Sequence, residues 1–295
     1  MAAPALPLGS RTRGRLRRRK ITDLVFTAIL TVVVVLVVGI LLWILFYVAK
    51  QGLRLFGWTF LTHTPPAFPG DKGGGFANGI VGSGIIVGLA TVMSVPIGLL
   101  AAIYLAEYGR GRAAYIVRFL TDVMTGIPTI VLGAFVYTLI VIRWGFSAYA
   151  GAVALALLML PLIIRSSEEM LHLVPAELRE ASMALGVGKA RTTVSIVLPA
   201  ALSGIITGVM LAVARALGET APLLLTALGN DLFMETDPSQ RMSALSLQIF
   251  NNAITGFKES QERAWAGALT LVAIALLLTV IARLLGRRRL QMMSG

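Results

Sequence analysis

Six long, mostly apolar stretches dominate the sequence and limit what the chain can fold into. They are residues 21–49, 79–105, 116–142, 146–164, 200–228 and 264–285. A helix rises about 1.5 Å per residue, so about 20 apolar residues cross a hydrocarbon core about 30 Å thick. Hydrophobic residues make up 57% of the chain and charged residues only 14%, against roughly 25% charged in soluble domains. The pattern predicts an all-α integral membrane protein with about six transmembrane helices.

The distribution of basic residues predicts the orientation of these helices. Most Lys and Arg residues lie before the first stretch, after the last one, and in the two segments that would share the same side with both termini. Because Lys and Arg stay on the cytoplasmic side, we expect both termini inside the cell. The net charge of +12 then reflects contact with membrane lipids, and no binding of nucleic acid is expected, because the basic residues adjoin apolar runs.

These features divide the chain into four regions. Residues 1–20 form a basic cytoplasmic arm, residues 21–78 a first transmembrane helix with an outer loop, residues 79–286 the main transmembrane domain, and residues 287–295 a basic cytoplasmic tail. Within the main domain, the inner loop at residues 165–199 is polar and bounded by Pro161 and Pro199, which predicts short helices at the membrane surface. The outer loops at residues 62–78 and 229–263 are rich in turn formers, which favours turns over packed structure.

The inner loop carries a motif with a physical interpretation of its own. Its residues are Glu180, Ala181, Ser182, Gly186, Ile196, Leu198 and Pro199. They predict a helix that ends at the glycine and a second helix that stops before the proline, so that a compact knob projects into the cytoplasm. An amphipathic surface helix without a partner is the alternative.

The order and spacing of these residues resemble the EAA motif of ABC-importer permeases. The resemblance implies that Glu180 to Gly186 form coupling helices that dock on a separate ATPase, and that Ile196, Leu198 and Pro199 complete the same motif. Ser182 departs from the motif at its third position, and it is small enough that we expect docking to persist.

The sequence offers no catalytic constellation. The string nearest to a phosphate-binding P-loop, residues 186–190, has Met183 in place of the leading glycine and Ala190 in place of the magnesium-binding hydroxyl. There is no cysteine and there are only two histidines, so neither a metal site nor thiol chemistry is expected. We therefore expect no enzymatic activity and no cofactor in this chain, with ATP and magnesium bound by a partner ATPase.

Arg215 and Glu219 are charged residues inside the otherwise apolar fifth stretch. A charge at bilayer depth costs roughly 2.5–3.5 kcal/mol on insertion scales, so these side chains are not expected to face lipid. At a spacing of four they would share a helix face with Gly204, Gly208 and Ala212, a small-residue stripe suited to close helix packing.

Two interpretations of this pair stay open. The first is an ion pair that only neutralises itself. The second is an anion path, in which the planar guanidinium of Arg215 binds two phosphate oxygens. In that path the carboxylate of Glu219 accepts the O–H of hydrogen phosphate, a donor that sulfate lacks at neutral pH.

The stretch from Arg215 to Pro222, which includes Thr220, is similar to the signature of phosphate-importer permeases of the PstA type. Residues 96–109, 126–133 and 168–175 resemble further stretches of that family. Ser246 departs from it, because proline is expected there. Pro96, Pro128 and Pro222 interrupt or adjoin helices, either as hinges for alternating access or as static kinks.

The resemblance implies a type I ABC-importer permease fold, in a bacterial inner membrane, that forms half of the pathway of an ATP-driven importer of inorganic phosphate. It implies as partners a homologous permease subunit, two ATP-binding subunits and an extracytoplasmic phosphate-binding protein. It also implies that Arg215, Glu219 and Thr220 line or gate the pathway. The alternatives are an importer of another oxyanion, such as sulfate or molybdate, and a membrane scaffold without transport activity.

Overall fold

The computed structural model describes residues 10–293, and describes the side chains of residues 19–281 and 284. The first nine residues of the predicted basic arm and the last two of the predicted tail lie outside the described residues. The structure divides into two units, one up to Lys50 and one from Gln51 onward. The first unit contains a single long apolar helix, and the second contains the remaining helices.

The prediction of an all-α protein is confirmed, since the described residues form helices and no strand. An isolated bridge joins Leu228 and Met242. In chain order the helices are α1 Ser10–Gly52, α2 Trp58–Thr62, α3 Ala77–Ile103, α4 Gly111–Gly126, α5 Thr129–Val136, α6 Ile142–Trp144, α7 Ala148–His172, α8 Ala176–Ala184, α9 Lys189–Thr192, α10 Leu198–Leu217, α11 Ala221–Thr226, α12 Leu245–Ala253 and α13 Lys258–Met293. Three π-helical turns, Tyr104–Tyr108, Tyr137–Val141 and Thr193–Val197, extend α3, join α5 to α6 and join α9 to α10.

The prediction of about six spans is also confirmed. In the part of the chain that the structure describes, five helical segments are long and apolar enough to cross a membrane: Arg19–Gly52, Ala77–Tyr108, Ala148–His172, Lys189–Leu217 and Lys258–Ile281. A sixth span is obtained when the bent pair Gly111–Gly126 and Thr129–Trp144 is counted as one.

The predicted third span, residues 116–142, is wrong as a continuous helix, because the chain bends there by 105°. Ile127 and Pro128 both have extended ψ angles, of 128° and 135°, between α4 and α5. Proline has no N–H to continue the helical ladder, and its ring disfavours helical geometry in the residue before it. The bend therefore follows from Pro128, although its angle depends on what α5 packs against.

Helix α7 lies at the centre of the second unit and packs against α3, α10, α4, α5 and α11. Its residues Leu155, Met159 and Ile163 are fully buried in one apolar cluster with Ile86 of α3 and Ala212 of α10. Because lipid tails are as apolar as these side chains, close packing holds such helices together more than hydrophobic burial does. The centre of the fold is thus a tight α3–α7–α10 layer.

The small-residue stripe on α10 provides the close approach to α7. A Cβ atom on Gly204 would lie 2.3 Å from Met170 Sδ, and one on Gly208 would lie 2.3 Å from Ser166 Oγ. At Gly208 the added atom would also lie 2.7 Å from Ser166 Cβ, so this position keeps the two helices close, whereas at Gly204 the flexible Met170 side chain would have to move.

The outer loops are packed, contrary to the expectation of turns. Arg263 is fully buried, and its guanidinium donates to the carbonyl oxygens of Asp71 at 2.7 Å and Pro69 at 2.6 Å. Gln248 of α12 is buried and donates to Asn78 Oδ1 at 2.8 Å. Turn-forming composition describes these loops locally, but long-range hydrogen bonds hold them together.

Candidate functional site

Arg215 and Glu219 form an ion pair in the structure, but the two residues do not lie on one continuous helix as predicted. Helix α10 ends at Leu217, so Glu219 lies in the three-residue break between α10 and α11, not on the helix. The Nε atom of Arg215 lies 3.6 Å from Oε1 of Glu219. The predicted fifth span, residues 200–228, is therefore wrong as one helix. The pair spans the place where α10 ends, and the last backbone bonds there run from Gly218 N to Arg215 O and from Glu219 N to Ala216 O.

Ser246 of α12 holds the break in position. Its side chain is buried, and its hydroxyl donates to the carbonyl oxygen of Glu219 at 2.9 Å. The sequence marked Ser246 only as a departure from the expected proline, which could not make this bond. Thr220 is the residue before α11 and makes no side-chain cap bond to it. The structure thus brings Ser246 to the predicted site, a contact that no local pattern indicates.

Arg215 lies level with the middle of α7, where a crevice of about 20 Å³ opens beside the bend between α4 and α5. Leu158 and Pro161 of α7 line it, together with Thr125 and Thr129 on the two sides of the bend. The bend therefore places Thr125 and Thr129 in the lining of the same crevice as Arg215. The sequence did not point to either threonine, because both lie in what was predicted to be one span.

The exposure of the pair is unequal, since 53% of the Arg215 side chain is accessible but only 18% of the Glu219 side chain. An arginine that is half exposed at the level of the middle of a membrane-spanning helix is costly if it faces lipid. Its position suits a water-filled path or the interface with another subunit. A guanidinium there can offer planar donors to a tetrahedral oxyanion.

Helix α7 continues through Pro161 to His172, so residues 165–172 of the predicted inner loop are helical and continuous with α7. Transmembrane helices tolerate proline where neighbouring groups satisfy the freed carbonyl. Helix α8 then ends in a Schellman turn at Gly186, whose φ is +80°. The N–H of Gly186 bonds to Met183 O at 2.9 Å, and that of Val187 bonds to Ser182 O at 3.2 Å. The glycine is thus the left-handed residue that stops α8.

The two short helices of the loop are joined by a buried hydrogen bond of 2.8 Å between the hydroxyls of Ser182 and Thr192. An alanine at position 182 would not make this bond. Glu180, Ala181 and Gly186 are exposed on the same loop.

The second half of the predicted motif belongs to a span, which corrects the expectation of a helix that stops before proline. Ile196 lies in the π-helical turn, and Leu198 and Pro199 begin α10. Proline is tolerated in the first turn of a helix, and the wider π turn before it relieves the clash of its ring.

The tip of the inner loop exposes apolar side chains that nothing in the described chain covers. Leu185 is 84% exposed, and Leu178 and Met183 are about half exposed. Leu178 lies near the start of α8, and Met183 and Leu185 lie at its end, on the same loop as Glu180 and Gly186. Exposed apolar groups rimmed by polar ones mark contact surfaces in soluble regions of proteins. The loop therefore has the character of a docking surface for another protein.

Sequence comparisons agree with this architecture. Residues 94–291 match the family described as binding-protein-dependent transport system inner membrane component. The chain is 47% identical over 248 residues to the phosphate transport system permease protein PstA of Yersinia pestis, covering 83% of each chain. It is 38% identical over 280 residues to the phosphate transport system permease protein PstA 1 of Mycobacterium tuberculosis strain CDC 1551, covering 92% of this chain and 90% of that one.

Solved structures share the fold at low sequence identity. One is an inward-facing structure of the MetNI methionine ABC transporter, with a TM-score of 0.59 and 18% identity over 72% of this chain and 95% of that one. Another is a bacterial ABC transporter involved in the import of the acidic polysaccharide alginate, with a TM-score of 0.57 and 14% identity over 93% of this chain and 99% of that one. The expected ABC-importer permease fold is confirmed.

Proposed function

This chain belongs to the family of binding-protein-dependent transport system inner membrane components, among the PstA permeases, and we propose that it is the membrane-spanning permease subunit of an ATP-driven importer of inorganic phosphate. The observation that carries the proposal is Arg215, a half-exposed cation at the mid-level of α7 in a chain of this family. It is a membrane transport subunit within an ABC importer complex.

The proposed pathway runs past Arg215, Glu219 and Thr220, on the side of the fold where α4 and α5 bend apart. Arg215 donates hydrogen bonds to phosphate oxygens, and the carboxylate of Glu219 accepts a hydrogen bond from the O–H of hydrogen phosphate. Because the side chain of Arg215 is half exposed, a homologous permease subunit can complete the pathway around it, and this chain forms the other half. The short break at residues 218–220 suits a gate, because its backbone lies outside both helices.

The proposed complex supplies what this chain lacks. Two ATP-binding subunits bind ATP with magnesium and hydrolyse it, and one of them docks on the exposed loop of this chain, formed by α8 and its glycine turn. An extracytoplasmic phosphate-binding protein delivers substrate to the packed outer surface around α12. This arrangement requires both termini and the inner loop in the cytoplasm, with residues 1–20 and 287–295 as its basic flanks and residues 79–286 as its permease domain.

Gly186→Ala is expected to weaken binding of the ATPase to the complex by up to about tenfold. A residue with a Cβ atom in left-handed geometry costs roughly 1–2 kcal/mol, and this cost would shift α8 and α9 away from their docking arrangement. The measurement is the affinity of purified ATPase for the permease pair in nanodiscs. Gly188→Ala is the matched control, since Gly188 has a φ of −65° and nothing lies within 4 Å of the added Cβ. Equal affinities for the two variants would contradict the role of the turn.

The experiment that tests the function is uptake of labelled phosphate into liposomes that contain the complete complex, with ATP and binding protein supplied. Uptake should require ATP and resist competition by sulfate and molybdate. Glu219→Gln should reduce the preference for phosphate over sulfate by about tenfold or more, because a site built to accept an O–H discriminates through that bond. Competition by sulfate in the wild type would point to another oxyanion. Unchanged uptake and preference in Glu219→Gln would remove Glu219 from recognition.

A further inference from the structure

A buried ion pair joins the inner loop to the inner end of α3. Glu107 lies in the π-helical turn that extends α3, and Arg179 lies on α8. Their side chains are only 6% and 19% exposed. Both the Nε and the Nη2 of Arg179 donate to Oε1 of Glu107, at 2.9 Å and 2.8 Å. When one partner of such a buried pair is removed, the protein is strongly destabilised, because the other charge is left without a partner.

The remaining donors of Arg179 bind the end of α7. Its Nη1 donates to Val174 O at 2.6 Å, and its Nη2 also donates to Leu171 O at 2.8 Å. The guanidinium therefore holds three segments together: α8, the end of α7 and the end of α3. Lysine could not replace it, because its single ammonium lacks the planar fork.

The second short helix of the loop, α9, contacts the same π-helical turn at the end of α3. The ammonium of Lys189, in α9, donates to the backbone carbonyl of Glu107 and lies 4.8 Å from the centre of the Tyr108 ring. Because Ser182 and Thr192 bond α8 to α9, the loop contacts α3 as a single body. Both halves of the loop are thus anchored on the two residues Glu107 and Tyr108.

This anchoring matters because of how the chain is connected. The inner loop is continuous with α7 on one side and with α10 on the other, so these helices follow any movement of the loop directly. Helix α3 has no such connection. It is coupled to the loop through its packing against α7 and through side-chain contacts such as those of Glu107.

The other end of α3 reaches the elements that hold the Arg215 site. Ser83 of α3 accepts a hydrogen bond of 2.8 Å from the backbone N–H of Leu245, the first residue of α12. The next residue, Ser246, donates to the carbonyl of Glu219. A line of hydrogen bonds and one helix therefore connects the inner loop to the break beside Arg215.

We propose that Glu107 and Arg179 are positioning residues that couple ATP hydrolysis to phosphate movement, by making α3 move with the ATPase-docking loop. The inference rests on the proposed importer function. When the docked ATPase shifts the loop, the ion pair transfers the shift to α3, which carries it to α12 and the Glu219 carbonyl. Without the pair, only the packing of α3 against its neighbours transmits the shift, and less of it reaches α12.

Glu107→Gln in the reconstituted complex tests this role, with phosphate uptake and ATP hydrolysis measured in the same liposomes. We expect the ATPase to bind and hydrolyse ATP, while the phosphate transported per ATP falls by about fivefold or more. Glu169→Gln is the matched control, because it removes the same charge from a side chain on α7 that is 63% exposed and lies outside α8 and its docking surface. A normal ratio in Glu107→Gln, or an equal fall in both variants, would overturn the proposal.

A second variant guards against misfolding caused by a single unpaired charge. In Glu107→Cys/Arg179→Cys both charges are removed together, and the chain has no other cysteine. The amount of phosphate transported per ATP should be low in this variant. It should recover when a bis-methanethiosulfonate reagent links the two thiols, and it should fall again when the link is reduced. No recovery in the linked complex would overturn the proposal. A wild-type complex that takes up no phosphate would instead contradict the importer function itself.

Discussion

Replacement of Arg215 by alanine is expected to reduce ATP-dependent phosphate uptake by about ten- to a hundredfold, while the complex still assembles. The guanidinium is half exposed at the mid-level of α7, beside the bend between α4 and α5. A hydrogen bond to a charged group contributes roughly 1.5–3 kcal/mol, which corresponds to this change in rate when it acts on the transported anion. Initial rates of labelled phosphate uptake, with subunit ratios determined by gel, give the comparison.

Two further variants test whether the effect depends on the planar guanidinium and on its position at residue 215. Arg215→Lys keeps the charge but loses the planar pair of donors, so we expect an intermediate rate. Arg143→Ala removes an exposed arginine at the end of α6 and should transport normally. Wild-type uptake by Arg215→Ala in an assembled complex would return the Arg215–Glu219 pair to a structural role.

Gly82→Ala is expected to destabilise the complex strongly. A Cβ atom on Gly82 would lie 1.9 Å from the carbonyl oxygen of Ser243 and 2.8 Å from Met242 Cγ. The backbone cannot yield as a flexible side chain would, and overpacking of this kind costs about 1–3 kcal/mol or more. Thermal unfolding of the purified complex should show a lower midpoint than the wild type.

The same helix supplies the control for this prediction. Gly84 and Gly88 also lie in α3, and an added Cβ would meet nothing within 4 Å at either position. Gly84→Ala and Gly88→Ala should therefore unfold at or above the wild-type midpoint, since alanine favours the helix. If all three variants unfolded at one temperature, close packing of α3 on the 242–243 segment would not limit stability.

Local features of the sequence were sufficient for the outline of the fold. Apolar length and basic flanks indicated about six spans, because crossing a bilayer imposes a requirement on each helix separately. Gly186 marked the end of α8 for a similar reason, since the left-handed turn is a property of that residue and its neighbours. The Arg215–Glu219 pair was also found locally, from its charge in an apolar stretch.

Other features were predicted wrongly because they depend on hydrogen bonds between residues that are far apart in the sequence. The fifth span was predicted as one helix, yet it breaks at residues 218–220, where Ser246 supplies a bond to the Glu219 carbonyl. The outer loops were predicted as turns, yet Arg263 binds carbonyl groups nearly 200 positions earlier in the chain, including that of Pro69. Neither donor could be assigned an acceptor from sequence spacing.

The sequence by itself determined which segments cross the membrane, where the exposed inner loop lies and which charges are out of place in lipid. Each of these follows from the composition of one continuous segment. The tertiary structure alone decided the 105° bend that brings Thr125 and Thr129 into the lining of one crevice with Arg215, and the pairing of Glu107 with Arg179 across 72 positions. Such contacts depend on which helix faces are brought together by packing, and packing is a property of all the helices at once.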